Sequence, residues 1–361
     1  MRKVVMIVND TNFAWNLRRE LLEYMVSRGY EVIVIAQVLE FREEIEKIGC
    51  RIIDVHTERR GTNIFSDLQL FYRYLRILGR EKPDIVLTNN IKPNIYAGIT
   101  CQILRIPYMP NICGLGTPVE DPGLMQKLST FLYKIGVRGC KTIFFQNVDN
   151  KLFFEKHGMI PKQAKVIVTP GSGVNLQSHP VLPWPEGNTH FLFAARIMKQ
   201  KGIDLFLAAA RKFASENIIF DVAGQCDDER YRKILEDEQC IRYHGLQRDM
   251  IPLYKQCSCF LYPSYYPEGM SNVLLEAAAS GRPVIAADRA GCRETLDDGV
   301  TGFLVPVNDE QSVMDAVEKF LKLRVEERKM MGLAGRRKME KEFDRKMVVK
   351  IFGDEVGRVL K

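Results

Sequence analysis

Several groups that would commit this sequence to common chemistries are scarce or absent. Its nine cysteines form no Cys-x-x-Cys pair, and Cys257 and Cys259 stand only two apart on a predicted strand. Neither a zinc framework nor a disulfide framework is supported, and a reducing cytoplasm is the expected environment. No uninterrupted apolar run of about 18 residues occurs, so no membrane span is expected. The opening Met1–Val8 is too short for a signal peptide and reads as a first strand. No Gly-x-Gly-x-x-Gly follows that strand, which counts against a dinucleotide dehydrogenase. No basic stretch is interleaved with aromatics as a nucleic-acid stacking platform requires, and no nucleic-acid partner is expected. Histidine is limited to His56, His157, His179, His190 and His244.

What is present is a regular alternation of strand and helix patterns over 361 residues, enough for two domains. Alternation of this kind predicts an α/β protein of two doubly wound, Rossmann-like domains facing across a cleft, with ligands at the carboxyl ends of the strands. Strands are expected at Val4–Val8, Glu31–Ala36, Arg51–Val55, Ile85–Thr88, Tyr108–Ile112, Thr142–Gln146 and Val166–Thr169. Helices are expected between them, for example Leu17–Arg28 and Ser66–Arg80, with Asn12–Arg18 as the first strand-to-helix loop. Residues 179–189 carry Pro180, Pro183 and Pro185 and read as a linker between domains 1–178 and 190–342. The second domain repeats the alternation at Phe191–Ala194, Ile218–Ala223, Ile241–Tyr243, Cys259–Tyr262, Val284–Ala287 and Gly302–Val305, and residues 343–361 form a helical tail. Charge is uneven. Residues 1–178 hold 24 Lys and Arg against 17 Asp and Glu, whereas residues 179–361 hold 28 of each. The excess could draw the first domain toward anionic lipid or a diphosphate-bearing molecule.

The densest segment is Glu268-Gly-Met-Ser-Asn-Val-Leu-Leu-Glu276. Its apolar run continues through Ala279 to Ser280-Gly281, which predicts a helix and its stop. Glu268 then stands in the loop before the helix, and backbone N–H groups of about Met270 to Val273 open the first turn. Such an end attracts phosphate. Glu276 is expected about two turns in. The set suits a nucleotide diphospho-sugar, with amides for the diphosphate and one carboxylate each for ribose and sugar hydroxyls. A glutamate-capped core helix would explain this pair taken alone.

Neighbouring segments sharpen the reading. Ala195-Arg196-Ile-Met-Lys199-Gln-Lys201-Gly202 puts Arg196 and Lys201, five apart, where a strand runs into a loop, as phosphate oxygens require. Then follow Phe220-Asp-Val-Ala-Gly224, Arg242-Tyr-His-Gly245, Cys259-Phe-Leu-Tyr-Pro263-Ser264, the glutamate segment, Gly281-Arg-Pro-Val-Ile-Ala-Ala287, Gly291-Cys-Arg-Glu294 and Asp298-Gly-Val-Thr-Gly-Phe-Leu-Val-Pro306. This ordered series resembles the donor half of the retaining GT-B glycosyltransferases of family 4. Thr88-Asn-Asn-Ile-Lys92-Pro93-Asn94-Ile-Tyr96, followed by Pro110-Asn111-Ile-Cys-Gly114-Leu-Gly116, looks like its capsule, O-antigen and lipid-linked oligosaccharide branch.

The resemblance implies roles. Glu268 contacts the transferred sugar, Glu276 holds the ribose, and Arg196 and Lys201 clamp the diphosphate. Gly269, Met270, Ser271, Asn272, Val273, Gly224 and Leu246 complete the donor site. Asn12, Asn16, Lys92, Asn94, Asn111, Gly114 and Gly116 are candidates for the acceptor or cleft wall. No Asp-x-Asp occurs, and no divalent metal or other cofactor is expected. Cys113 and Ile91 stand where some relatives carry histidine, so no imidazole base is evident. Glu120 and Asp121 are weaker candidates, explained equally by a solvated loop. Helix 66–80, with Leu68, Phe71, Tyr72, Leu75 and Leu78 on one side and Arg73, Arg76 and Arg80 nearby, follows Arg59-Arg60. A basic amphipathic helix of this kind can lie on an anionic bilayer, although packing on the sheet explains its apolar side as well. The resemblance implies a UDP-sugar donor, an undecaprenyl-diphosphate-linked acceptor, and a cytoplasmic enzyme peripheral on the inner membrane face. Two other readings remain open: a UDP-sugar 2-epimerase-like enzyme, and a non-catalytic sugar-nucleotide-binding partner of an assembly complex.

Overall fold

Runs such as Val4–Val8 and Cys259–Tyr262 are apolar at consecutive positions, so they can be buried on both faces only in parallel sheets covered by helices. A computed structural model describes residues 1–56, 64–116, 119 and 123–361. Glu120, Asp121, Arg59 and Arg60 lie outside the described residues. The chain forms two compact units, Met1–Ser172 with Arg345–Lys361, and Gly173–Asp344.

The first unit holds a parallel sheet of order β3-β2-β1-β4-β5-β6-β7. Its strands are β1 Lys3–Asp10, β2 Glu31–Gln37, β3 Arg51–Asp54, β4 Ile85–Asn89, β5 Tyr108–Ile112, β6 Thr142–Phe145 and β7 Lys165–Val168. The sequence places each within two residues at either end. Helix α1 (Thr11–Ser27) begins directly after β1. Asn12–Arg18, expected as a loop, is therefore helical. The cause is the Asp10 carboxylate, which accepts the Phe13 N–H at 2.8 Å and caps the helix with no intervening turn. A short helix, α2 (Arg42–Lys47), precedes β3.

Helix α3 (Ile64–Glu81) buries Leu70, Tyr74 and Leu78. The apolar stripe expected on one side is split: Leu68 and Tyr72 are exposed, together with Ile64 and Phe65. After a π-helical turn at Pro93–Ala97 come α4 (Gly98–Leu104), α5 (Leu124–Val137) and α6 (Val148–Lys156). Both α3 and α5 pack against the π turn. Helix α5 exposes Leu124, Met125, Leu128 and Phe131, along with Lys127, Lys134 and Arg138, and contains no acidic residue.

The second unit repeats the design with order β10-β9-β8-β11-β12-β13. Its strands are β8 Thr189–Ala194, β9 Ile218–Ala223, β10 Arg242–Tyr243, β11 Cys259–Tyr262, β12 Val284–Ala287 and β13 Gly302–Val305. Helices α7 (Ile203–Phe213), α8 (Glu229–Asp237), α9 (Ile251–Gln256), α10 (Asn272–Ala279), α11 (Glu310–Lys322) and α12 (Val325–Glu342) cover it. Asp221, buried on β9, accepts from His190 Nδ1 at 2.6 Å and His244 Nε2 at 2.7 Å. Burial would raise its pKa, but the two imidazole hydrogen bonds prevail and hold it below the ordinary aspartate value.

The stretch 179–189, read from its prolines as a linker, belongs to the second unit. Buried Arg282 donates to the Pro183 carbonyl at 2.6 Å and lies over the Trp184 ring, and Leu182 N–H donates to Ser280 O. The last helix, α13 (Arg345–Leu360), belongs to the first unit. Phe352 stacks on Phe144 at 4.1 Å, Arg345 pairs with Glu20 at 3.1 Å, and buried Glu355 accepts from Thr142, Lys165 and Arg358.

Candidate active site

In doubly wound sheets the ligand crevice opens beside the first strand, where consecutive strands depart to opposite sides. In the second unit β8 is that strand, flanked by β9 and β11. Arg196 and Lys201 follow β8, and Tyr262 ends β11. A sharp junction joins them. Gly202 has φ of 83°, and a Cβ there would lie 2.3 Å from the Pro263 carbonyl oxygen. Glycine thus lets the single 3-10 turn Lys199–Lys201 approach the end of β11.

The result is a tight polar cluster. Lys201 Nζ pairs with Glu268 Oε1, and the Tyr262 hydroxyl donates to the same oxygen at 2.7 Å. Lys201 also lies 4.6 Å from the Tyr266 ring centroid and 5.8 Å from that of Tyr262. Burial would lower the lysine's pKa, but Glu268 and then Tyr262 hold it above the ordinary value, so the ammonium is charged. Arg196, half-buried, meets no carboxylate among the described residues. Its Nη2 contacts the Met198 sulfur at 3.2 Å, and its Nε is buried without a partner there.

Helix α10 starts at Asn272, and its first helical bond runs from Leu275 N–H to the Ser271 carbonyl. The N–H groups of Asn272 and Val273 therefore precede the ladder. Ser271 N–H is not among the open donors, because Gly291 O accepts it at 2.8 Å. The hydroxyl of Ser271 and Oδ1 of Asn272 are buried with no partner among the described residues. Met270 is buried, and Gly269 packs against Gly291. Glu276 lies little more than one turn into the helix rather than two, since the helix begins four residues before it. Its Oε2 accepts from the Tyr254 hydroxyl at 3.0 Å and stands 3.9 Å from His179 Nε2. Gly224 follows β9 with φ of 141°, where a Cβ would fall 1.7 Å from Ala195 O, so only glycine fits beside the turn carrying Arg196. Leu246 is exposed.

The first unit has its own strand-end cluster. Arg18 is buried and donates through Nε to Asn89 Oδ1 at 3.2 Å; its Nη2 has no partner among the described residues. Asn111 is buried and donates to Asn89 Oδ1 at 2.9 Å and toward Cys113 Sγ at 3.3 Å, while its Oδ1 is likewise unpartnered. Burial pushes the Cys113 thiol upward against the opposing pull of Arg18, so it stays protonated. Asn94 is wholly buried and spent on architecture: its Oδ1 accepts from Thr88 at 2.7 Å and its Nδ2 donates to Asn111 O at 2.9 Å. Lys92 pairs with Asp67 at 2.8 Å. Asn12 Oδ1 accepts the Glu40 N–H, Asn16 is exposed with its carbonyl taken by Arg345, and Gly114 and Gly116 follow β5 at positive φ. The sequence did not single out Tyr254, Tyr262 or Tyr266, and met Arg18 only as the end of the first strand-to-helix stretch. A tyrosine ending a buried strand immediately before the glutamate segment was the available signal for Tyr262.

A profile of glycosyl transferase 4-like proteins matches residues 3–147, and one of glycosyl transferases group 1 matches residues 175–338. The chain belongs to the group 1, family 4-like glycosyltransferases. This glycosyltransferase is 24% identical over 327 residues to the N,N'-diacetylbacillosaminyl-diphospho-undecaprenol alpha-1,3-N-acetylgalactosaminyltransferase of Campylobacter jejuni, covering 85% of this chain and 86% of that one. It is also 24% identical to the UDP-Gal:alpha-D-GlcNAc-diphosphoundecaprenol alpha-1,3-galactosyltransferase of Escherichia coli, covering 74% of each. Its fold matches Anabaena Alr3699/HepE, solved in complex with UDP and glucose, with a TM-score of 0.81 at 16% identity over 99% of this chain and all of that one. The two Rossmann-like units are those of a GT-B enzyme. No helix among the described residues is long and apolar enough to cross a membrane. No group of three or more His, Cys, Asp or Glu among them could hold a metal ion.

Proposed function

We propose that this glycosyltransferase moves a hexose or N-acetylhexosamine from a UDP-sugar to a lipid-linked glycan in bacterial surface polysaccharide synthesis, with retention of anomeric configuration and without a metal. The observation that carries the reading is the cluster of Lys201, Glu268 and Tyr262 at the switch point of the second sheet, where Arg196 follows the same strand and meets no carboxylate among the described residues. Cations and helix-start amides suit a departing diphosphate, whose charge such groups stabilise in the transition state. Glu268 suits the sugar, where it steadies positive charge developing at the anomeric carbon, and Glu276 suits the ribose hydroxyls. In the proposed step the acceptor hydroxyl oxygen bonds the anomeric carbon on the face the leaving group vacates. The bond to the β-phosphate oxygen breaks, and that oxygen takes the hydroxyl proton. Positioning supplies much of the rate. The donor and acceptor classes draw support from the names of the two bacterial relatives.

The acceptor lipid suggests a working place on the inner face of the plasma membrane. Exposed Ile64, Phe65, Leu68 and Tyr72 on α3 and Leu124, Met125, Leu128 and Phe131 on α5 lie among exposed Arg73, Arg76, Arg80, Lys127, Lys134 and Arg138. Apolar side chains among cations suit an anionic interface. The test of the whole reading is a panel of nucleotide sugars screened by thermal shift in EDTA, followed by transfer to an undecaprenyl-diphosphate-linked sugar and assignment of the product anomer by NMR. Stabilisation by UDP-sugars with EDTA present, and a product of the donor's own anomeric configuration, are expected. Stabilisation that needs a divalent ion, or an inverted product, would refute the corresponding part.

A further inference from the structure

We propose that Tyr262 and Tyr254 are positioning residues, one for each glutamate of the donor site, so that the Tyr262 hydroxyl governs turnover and the Tyr254 hydroxyl governs nucleotide affinity. The division rests on the reading above, in which Glu268 meets the sugar and Glu276 the ribose. In the second unit the tyrosines with almost no exposure are Tyr254 (0%) and Tyr262 (1%). Each donates its hydroxyl to one glutamate, at 3.0 Å to Glu276 Oε2 and 2.7 Å to Glu268 Oε1. Burial, and next the neighbouring carboxylate, raise both phenols above their ordinary pKa, so both are fixed as neutral donors.

The two phenols reach the carboxylates from rigid ground. Tyr262 closes β11, and its ring packs with Phe193 and Phe260 in the core. Glu268 stands in the loop that follows, and Lys201 and Tyr262 meet on one of its oxygens, which orients the carboxylate. Tyr254 sits on α9, and its backbone carbonyl is held by Arg282 Nε at 2.7 Å, a buried guanidinium that also grips the Lys255 and Pro183 carbonyls. The end of α9 is thereby locked, and with it the direction from which the hydroxyl approaches Glu276. A filler of the core needs only the ring. The oxygens are placed where they orient the two carboxylates.

The test replaces each tyrosine by phenylalanine in the full chain and compares kcat, donor KM and the UDP dissociation constant, with Glu268→Gln and Glu276→Gln measured alongside. Tyr262→Phe is expected to lower kcat about 10- to 100-fold with UDP affinity within about threefold. Tyr254→Phe is expected to weaken UDP and raise donor KM about tenfold, with kcat within about threefold. Losses of equal size in both parameters for both variants, or a change in melting alone, would overturn the proposal. If the glutamate variants divide as assigned and the tyrosine variants do not, only the positioning claim fails. If Glu268→Gln leaves transfer intact, the reading of the site itself fails. Should Tyr262→Phe not fold, 3-fluorotyrosine at that position keeps the ring and strengthens the donor. With it kcat should shift while UDP affinity stays within about threefold, and an unmoved kcat would likewise overturn the proposal.

Discussion

The two units present chemically different strand ends on the same doubly wound frame. The first gathers amides, a protonated thiol and a buried guanidinium, Asn89, Asn111, Cys113 and Arg18. The second gathers carboxylates, an ammonium and phenols, Glu268, Glu276, Lys201, Tyr262 and Tyr254. Overall charge runs the other way. The first unit carries 29 Lys and Arg against 19 Asp and Glu, net +10, and the second carries 23 against 26, net −3. On the proposed reading, net charge does not identify where the diphosphate is held: a few cations at one strand end, desolvated and oriented, would outweigh a larger number spread over solvated helices, where water and salt screen them.

This contrast can be broken experimentally, and the largest effect should come from its most charged point. Glu268→Gln should cut transfer about 100- to 1,000-fold while leaving UDP affinity within about threefold, measured by steady-state kinetics and calorimetry. Retained transfer would mean that the second edge does not handle the developing charge. Lys201→Ala should weaken UDP about 10- to 100-fold, since a charge-assisted contact is lost; unchanged affinity would remove it from the diphosphate site. Asp221→Asn should cost about 1–3 kcal/mol of stability near neutral pH in urea melts. The native pKa of Asp221 is depressed, so its contribution is present above the unfolded value of about 4 and lost as pH falls through the folded value. The stability gap between wild type and variant should therefore close in acid, and a gap independent of pH would speak against the imidazole bonds.

On the basic unit, Arg73→Gln and Arg76→Gln should each lower affinity for vesicles rich in anionic lipid by about 1 kcal/mol, without changing UDP binding. Equal binding to neutral vesicles would assign the surface another use. The smallest effect is expected at Cys113→Ser, with UDP affinity unaltered and transfer within about threefold. A collapse of transfer there would give the first edge a chemical part that its protonated thiol does not suggest.

Strands were legible because their burial on both faces writes continuous apolar runs, as in Val284–Ala287. The glutamate segment was legible as a loop leading into a helix because its spacing is local. Four features were not. The helical state of Asn12–Arg18 depends on a single cap, Asp10, placed at the strand end itself. The prolines of 179–189 looked like a spacer because nothing nearby in sequence announces Arg282, about a hundred positions on, as their anchor. The tyrosine partners of the glutamates lie 6 and 22 residues away, at separations fixed by crossover connections rather than by any helical or strand period. Leu68 and Tyr72 were assigned to the same stripe as Leu78, yet they face solvent while Leu78 faces the core.

The chain leaves its first unit at Ser172 and re-enters it at Arg345, and the residues just inside the excursion are joined, with Val174 N–H on Phe343 O. On the ribosome, translation order and completion order must then differ. The earlier-made unit waits with Phe144, Met25 and Leu22 short of their cover from Val348, Phe352 and Val356 until the whole intervening unit has been synthesised. An exposed apolar seam of that kind is a target for holdase chaperones during synthesis. Truncation just before Arg345 should be far more damaging than the modest size of the missing helix suggests.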